Sequence, residues 1–384
     1  MIKRNGPNER MKRKYLHILK ETKGRDEASL DAVIKAIDRF EEHSKHRDFT
    51  KFHVELARSF KSHLATTRNA RTGEPLSAST IHSTLAALKS FFIWLAQQRG
   101  YRSRLSASDA EYFNPPDNLS RVATARRYKA CPTVKQVHAM LGAMPANNEI
   151  EQRDRALIAF TLLSGARDRA IVSFKLKHID VANELIEQDA REVQTKRAKT
   201  FATWFFPVGD DIRKIVVDWI AFLHEKKGFG PEDPLFPKSK VAPGDDLAFR
   251  AIGLDRAHWA NANPVRAVFR EACALAGLPY FNPHSLRNTL VQLAYERKLD
   301  AERFKAWSQN LGHENCLTTF SSYGEIPPSR QAEIIRGLAR SDEANNGRLK
   351  PELLRQLADQ LERTAFAREE AVALAGYERE RESN

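Results

Sequence analysis

Apolar residues in the first hundred positions recur at the spacing of an α-helix. One face between residue 76 and Gly100 is formed by Ile81, Leu85, Leu88, Phe92 and Leu95. Side chains three and four apart share a helix face, and the hydroxyl residues within 77–80 are typical of a helix start. The stretches 30–40 and 52–64 show the same period, and no strand pattern separates them. The pattern therefore predicts a small all-helical bundle.

The helical pattern weakens between residues 99 and 132. Pro115 and Pro116 interrupt it, because proline lacks a backbone donor and restricts the residue before it. Basic residues accumulate in the same region, namely Arg121, Arg126, Arg127 and Lys129. We interpret the region as a linker, which either helps two domains to close around a polyanion or is a plain flexible tether.

Beyond Thr133 the pattern indicates a domain that mixes helices with short strands. Thr133 begins a capping-box sequence. Helical periodicity follows at 152–163, 212–224, 265–276 and 286–297. Two strand-like stretches, 192–195 and 202–206, flank a polar turn that contains Lys196, Arg197 and Lys199. We therefore predict a mainly α fold with a small β-sheet in its second domain.

The length of 384 residues supports two cores, since single cores seldom grow far beyond a couple of hundred residues. We predict a basic N-terminal extension at 1–25, a helical bundle at 26–110, a linker at 111–132, a second domain at 133–335 and a helical tail at 336–384. The tail has an apolar face of Leu353, Leu357 and Leu361. It could pack on a neighbouring subunit or fold back on its own domain.

The composition favours a soluble, cytoplasmic protein that binds a polyanion. No apolar run approaches the roughly 18 residues of a membrane span, and the first residues lack the apolar segment of a secretory signal. The chain has 62 Lys and Arg against 49 Asp and Glu, a net charge of +13 that attracts DNA through counterion release. Cys131, Cys273 and Cys316 lie too far apart for a zinc cluster or a disulfide framework, so we expect reduced thiols.

Three short stretches of the second domain contain residues suited to phosphate chemistry. They are Ser164-Gly165-Ala166-Arg167, Pro283-His284-Ser285-Leu286-Arg287, and Leu311-Gly312-His313 followed by Thr318-Thr319 and Tyr323. Each is common alone. Their order, with a lysine-bearing turn between the first two, closely resembles the tyrosine recombinase and phage integrase family over about residues 30–330. The resemblance implies an N-terminal helical core-binding domain of SAM-like fold and a C-terminal mixed α/β catalytic domain.

The resemblance also implies a role for each of these residues. Arg167 and Arg287 would clamp the scissile phosphate, since a guanidinium can bond two phosphate oxygens and keeps its charge. His284 would orient or transfer a proton, and His313 would donate a hydrogen bond to a phosphate oxygen. Tyr323 would be the nucleophile, activated by the surrounding cations.

A lysine of the turn would protonate the departing 5′ oxygen. Lys196 matches the family best, and Lys199 is the rival candidate. Arg197 is interpreted as a DNA-backbone contact or a solvated charge. Further DNA contacts are expected from Lys61, Arg68, Arg71, Arg126, Arg127, Arg197 and Lys199.

Two features depart from the family pattern. Ala170 occupies a position where the family usually has an acidic residue, three places after Arg167. The tyrosine also follows His313 by ten residues, one more than the family spacing, which suggests a one-residue insertion at 314–316. The acidic position is structural in the family, so neither departure excludes activity.

The resemblance implies a site-specific DNA recombinase that forms a 3′-phosphotyrosine intermediate without metal, ATP or another cofactor. The expected partners are double-stranded DNA and three further copies of the chain, with no membrane involved, in the service of a mobile element. A type IB topoisomerase would use the same chemistry on one duplex. A catalytically inactive DNA-binding accessory protein or an unrelated helical regulator would also account for the charge and the helices, but the complete set of motif residues argues against both.

Overall fold

The computed structural model describes residues 5–70, 72–125, 130–243, 249–313 and residue 331. The chain divides into two compact units, Met1–Arg126 and Arg127–Asn384. Within the described ranges, no helix combines the length and the apolar character that crossing a bilayer requires.

The first unit is all-helical in its regular structure. It contains α1 (Gly6–Glu21), α2 (Glu27–His43), α3 (Val54–Thr66), α4 (Ala78–Ala96) and α5 (Asp117–Thr124). Ser77 caps α4 by accepting a hydrogen bond from the N–H of Thr80, as the sequence predicts. Phe40 lies at the centre of the core, where its ring makes edge contacts with Phe60, Phe92 and Phe113.

Helix α1 occupies most of the segment that we expected to be an extension. Its Tyr15 and Leu19 are buried in the core of the first unit. An ion pair also links α1 to α2, because Lys12 Nζ lies 2.5 Å from a carboxylate oxygen of Glu41. The side chain of Asn8 donates to the other oxygen of Glu41 at 2.9 Å. Such a buried and fully paired cluster is costly to break, so α1 is an integral part of the bundle.

The second unit surrounds one central helix. Its helices are α6 (Val134–Ala143), α7 (Glu149–Ser164), α8 (Asp168–Ile171), α9 (Asp210–Glu225), α10 (Asn263–Leu275), α11 (Ser285–Glu296) and α12 (Ala301–Asn310). Every residue of α7 from Ala156 to Ser164 is buried. A helical segment that is buried on all sides needs an apolar surface all round, and residues 156–164 provide it apart from Thr161 and Ser164, whose hydroxyls donate to main-chain carbonyls. Thr133 and Gln136 form the predicted capping box at the start of α6.

The described residues of the second unit also form two small antiparallel sheets. One has the order β1 (Ile179–Asp180), β2 (Leu185–Gln188) and β3 (Phe201–Trp204), so β3 is an edge strand. The other is a hairpin of β4 (Ser239–Pro243) and β5 (Phe249–Leu254), which the sequence pattern did not indicate. The predicted class, mainly α with a small β-sheet, is confirmed.

The predicted strand at 192–195 is wrong, because its place in the sheet is taken by β2. The N–H of Val193 donates to the carbonyl of Asp189 at 2.7 Å, which closes a turn. The N–H of Gln194 then donates to the hydroxyl of Ser173 at 2.9 Å. These loop contacts use the donors that a strand would offer to a neighbour.

Candidate active site

The end of α7 forms one wall of the site. Gly165 follows the helix in the left-handed conformation, with φ of 59°. A Cβ atom at this position would lie 2.8 Å from Leu311 Cδ2, so glycine is required by both the backbone and the space. The turn exposes the carbonyl of Gly165 to Arg287. It also places Arg167, which is half-buried, directly before α8.

Arg287 connects the three motifs. It lies in the first turn of α11 and is only 2% exposed. Its Nη1 donates to the carbonyl of Gly165, and its Nη2 donates to the carbonyl of Leu311 at 2.6 Å. The same Nη2 lies 3.0 Å from Nε2 of His313. The buried guanidinium, which belongs to the second stretch, is therefore fixed by groups from the first and the third stretches that the sequence singles out.

His313 lies at the centre of a cluster of positive charge. Burial lowers the pKa of its ring most, followed by the charges of Arg287, Arg167, Lys199 and His284, and together they bring it to about 3. The ring is therefore neutral near pH 7. Because arginine can only donate, Nε2 of His313 accepts from Arg287, and the ring proton belongs on Nδ1.

The turn that contains Lys196 and Lys199, called here the lysine turn, precedes β3 and lies beside this cluster. Lys199 is half-buried, and its Nζ lies 3.5 Å from the carbonyl oxygen of Gly312. Gly312 has φ of 71°, and a Cβ atom there would lie 2.5 Å from the ring of Phe201. Lys196 is exposed three residues earlier. The described contacts thus bring Lys199 to the His313 cluster and leave Lys196 at the surface of the turn.

The remaining predicted residues lie as follows. His284 is exposed at the start of α11, where it faces the cluster that lowers the pKa of His313. Ala170 is buried, and the neighbouring Asp168 binds Arg266 at 2.7 Å. Tyr323 lies outside the described residues. The sequence predicted that Arg167 and Arg287 belong to the site. It did not indicate that the main-chain carbonyls of Gly165 and Leu311 fix Arg287.

The expected DNA contacts are only partly covered by the structure. Arg71, Arg126 and Arg127 lie outside the described residues. Lys61 donates to the carbonyl of Asn114 at 3.3 Å, and Arg68 is exposed and donates to the carbonyl of Gly73 at 2.9 Å. Arg197 is exposed in the lysine turn with φ of 61°.

The site as described is a cluster of positive charge around His313. Two guanidinium groups, one ammonium group and one exposed imidazole surround a neutral histidine. Fixed cations in a partly buried site stabilise negative charge on phosphate oxygens more strongly than the same groups do in water.

The sequence and the fold of the chain are both similar to those of known proteins. The model of the phage integrase family matches residues 133–328. Tyrosine recombinase XerC of Yersinia pestis is 25% identical over 255 residues, which cover 66% of this chain and 70% of the relative. A lambda integrase dimer bound to a COC′ core site has a TM-score of 0.57 at 13% identity, covering 83% of this chain and 96% of that one. A lambda integrase tetramer bound to a Holliday junction has a TM-score of 0.52 at 13% identity, covering 83% and 79%.

The chain therefore belongs to the phage integrase family of tyrosine recombinases. The likeness to lambda integrase shows the two-domain fold of these enzymes.

Proposed function

We propose that this protein is a site-specific DNA recombinase that cuts and rejoins strands for a mobile genetic element through a 3′-phosphotyrosine on Tyr323. The observation that supports this most strongly is the convergence of Arg167, Arg287, Lys199 and His284 on His313. A phosphodiester undergoing substitution gains negative charge on its equatorial oxygens. A cluster of fixed cations is suited to stabilising that charge.

In the proposed reaction the hydroxyl of Tyr323 attacks the phosphorus atom and the bond to the 5′ oxygen breaks. Arg167 and Arg287 stabilise the charge on the equatorial oxygens, and His284 takes or orients the phenolic proton. A lysine of the turn gives a proton to the 5′ oxygen as it leaves. The phosphotyrosine bond conserves the energy of the phosphodiester. A 5′ hydroxyl of another strand can then attack it and release Tyr323 without ATP.

The proton donor is one of the two lysines of the turn. Lys196 matches the family pattern, whereas the contact with the carbonyl of Gly312 favours Lys199. We propose that the lysine nearest the 5′ oxygen in the DNA complex is the donor, and that the second lysine contacts the DNA backbone.

We further propose that the reaction needs no metal ion. Arg167, Arg287 and Lys199, which converge on His313, are cations that repel a divalent ion and provide the charge that a metal would supply. Metal-dependent phosphoryl transfer uses carboxylate ligands. The groups that lower the pKa of His313 after burial are instead Arg287, Arg167, Lys199 and His284.

The proposed assembly is a tetramer on DNA. Exchange between two duplexes breaks four strands, so it requires four nucleophiles, and lambda integrase forms a tetramer on a Holliday junction. The tail at 336–384 lies outside the described residues and is a candidate for contacts between subunits. A protein with this role works in the cytoplasm on the bacterial or phage DNA that it binds.

The test of this function is covalent trapping on a nicked suicide duplex. The duplex would contain the sequence that the purified chain enriches from a pool of random duplexes. The native protein should form a DNA adduct that survives denaturation, and Tyr323→Phe should bind the duplex equally well without forming the adduct. An undiminished adduct in the variant would remove Tyr323 from the role. Relaxation of supercoiled plasmid without joining of two duplexes would favour a topoisomerase instead.

A further inference from the structure

The side chain of Asn310 binds the open edge of the sheet beside the active site. Its Oδ1 accepts a hydrogen bond from the N–H of Trp204 at 2.7 Å, and its Nδ2 donates to the carbonyl of Trp204 at 2.8 Å. Trp204 is the last residue of the edge strand β3. The carboxamide therefore takes the place of a neighbouring strand at one residue, since it satisfies both main-chain groups of Trp204.

More contacts continue from Asn310 towards the cluster around His313. The hydroxyl of Thr203 donates to the carbonyl of Asn310 at 3.0 Å, and it is held in turn by Gln188 at 2.9 Å. The ring of Phe201 packs against Gly312, and Lys199 reaches the carbonyl of Gly312. Residues 199–204 and 310–313 thus run antiparallel and in contact. One segment contains Lys199 and the other ends at His313.

The lysine turn needs such an anchor. The connection 189–200 between β2 and β3 is much longer than a tight hairpin, so pairing of the two strands does not by itself fix its position. Arg197 and Ala198 in this connection both have positive φ. The position of β3 relative to α12 therefore decides where Lys196 and Lys199 lie relative to Arg287 and His313.

We propose that Asn310 is a positioning residue that holds the lysine turn against the Arg287–His313 pocket. Its proposed action is through β3, which its side chain contacts at Trp204. An amide suits this position because it donates and accepts at once, whereas a carboxylate can only accept and would face the carbonyl of Trp204. The inference rests on the proposed function, since it assigns to Asn310 the alignment of the lysine that protonates the 5′ oxygen.

Loss of the Asn310 contacts should impair proton donation to the 5′ oxygen and no other step. Asn310→Asp should slow cleavage roughly 10- to 100-fold, because displacement of a catalytic group by about 1 Å can have an effect of that size. Asn310→Ala, which loses both hydrogen bonds, should slow it at least as much. Gln309→Ala is the matched control, because Gln309 is exposed in the same turn of α12. It should cleave at the native rate.

The deciding measurement compares two suicide duplexes that differ only in the bridging atom. A 5′ thiolate leaves without a proton, so a duplex with sulfur in place of the bridging 5′ oxygen does not require the lysine. Cleavage of this duplex by Asn310→Asp should return to within a few-fold of the native rate. Arg167→Ala should remain slow on both duplexes, because charge still develops on the equatorial oxygens.

Each outcome of this comparison is decisive. If Asn310→Asp loses the same fraction of its cleavage rate on both duplexes, or cleaves the oxygen duplex at the native rate, only the proposed role of Asn310 is overturned. Absence of any covalent adduct with the native chain on either duplex would overturn the proposed function, and this inference with it. Unfolding midpoints in urea should be compared for both Asn310 variants. Rescue by sulfur could not come from a chain that fails to fold.

Discussion

The neutral state of His313 predicts how acid should destabilise this protein. In the folded chain its pKa is about 3, whereas a histidine ring ordinarily has a pKa of 6.5. Between these values the unfolded chain binds a proton that the folded chain excludes. The free energy of unfolding is therefore unaffected by His313 above pH 6.5, and it decreases progressively as the pH falls towards 3.

The size of the effect follows from this linkage. Between pH 7 and pH 5 the unfolded state gains about 2 kcal/mol from protonation of one histidine that stays neutral when folded. This free-energy difference depends little on the pKa of His313 in the folded chain, as long as that pKa lies well below 5. Burial and the charges of Arg287, Arg167 and Lys199 are the physical cause, since a proton on His313 would add one more charge to that cluster.

The assay is urea unfolding followed by tryptophan fluorescence. Trp204, Trp219, Trp259 and Trp307 all lie in the second unit, and only Trp94 lies in the first, so the signal reports mainly on the unit that contains His313. Each protein is compared with itself at the two pH values. The remaining titrating groups then contribute equally to the native chain and to a His313→Gln variant, whose amide oxygen can still accept from Arg287.

The native chain should lose about 2 kcal/mol more than His313→Gln when the pH falls from 7 to 5. His224→Gln is the control for replacing a histidine by glutamine outside the site. Saturating inorganic phosphate should reduce the difference, since an anion in the pocket offsets the cations and raises the pKa of His313. Identical pH dependence in the native chain and His313→Gln would refute a neutral His313 inside a cationic cluster.

The remaining predictions concern the chemical step. Cleavage of the suicide duplex should proceed at an unchanged rate in EDTA, and a loss that magnesium restores would contradict a reaction driven by side-chain cations. Replacing the lysine that donates the proton by alanine should slow cleavage roughly 10²- to 10⁴-fold. A bridging 5′ sulfur should restore the cleavage rate of that variant. Replacing the second lysine by alanine should weaken mainly salt-sensitive DNA binding. Single and double alanine variants of Lys196 and Lys199 on both duplexes identify the donor. Rescue of Lys199→Ala alone would assign the role to Lys199, and rescue of Lys196→Ala alone would assign it to Lys196.

The sequence by itself determined the class of fold and the residues of the motifs. Helical periodicity located α2, α3, α4, α7, α9, α10 and α11, because burial of one face imposes a repeat that is visible along the chain. The cap at Ser77 and the capping box at Thr133 are local interactions, so they could also be predicted without a structure. The motif residues were recognisable because phosphate chemistry restricts the side chains that can perform it.

Only the tertiary structure decided how these residues meet. The failed strand at 192–195 had suitable residues, but β2 at Leu185–Gln188 took its place and Ser173 engaged the segment instead. The choice between Lys196 and Lys199 depends on a turn whose position is set by contacts more than a hundred residues away, with Asn310 and Gly312.

The charge state of His313 is likewise a tertiary property. A histidine in a sequence has no fixed charge, and this one is neutral because burial and cations from separate segments of the chain raise the free energy of its protonated form. Nothing near residue 313 in the chain indicates this. The physical reason is that local sequence controls backbone propensity and the periodicity of burial, whereas electrostatic environment and the alignment of catalytic groups arise from segments that become neighbours only on folding.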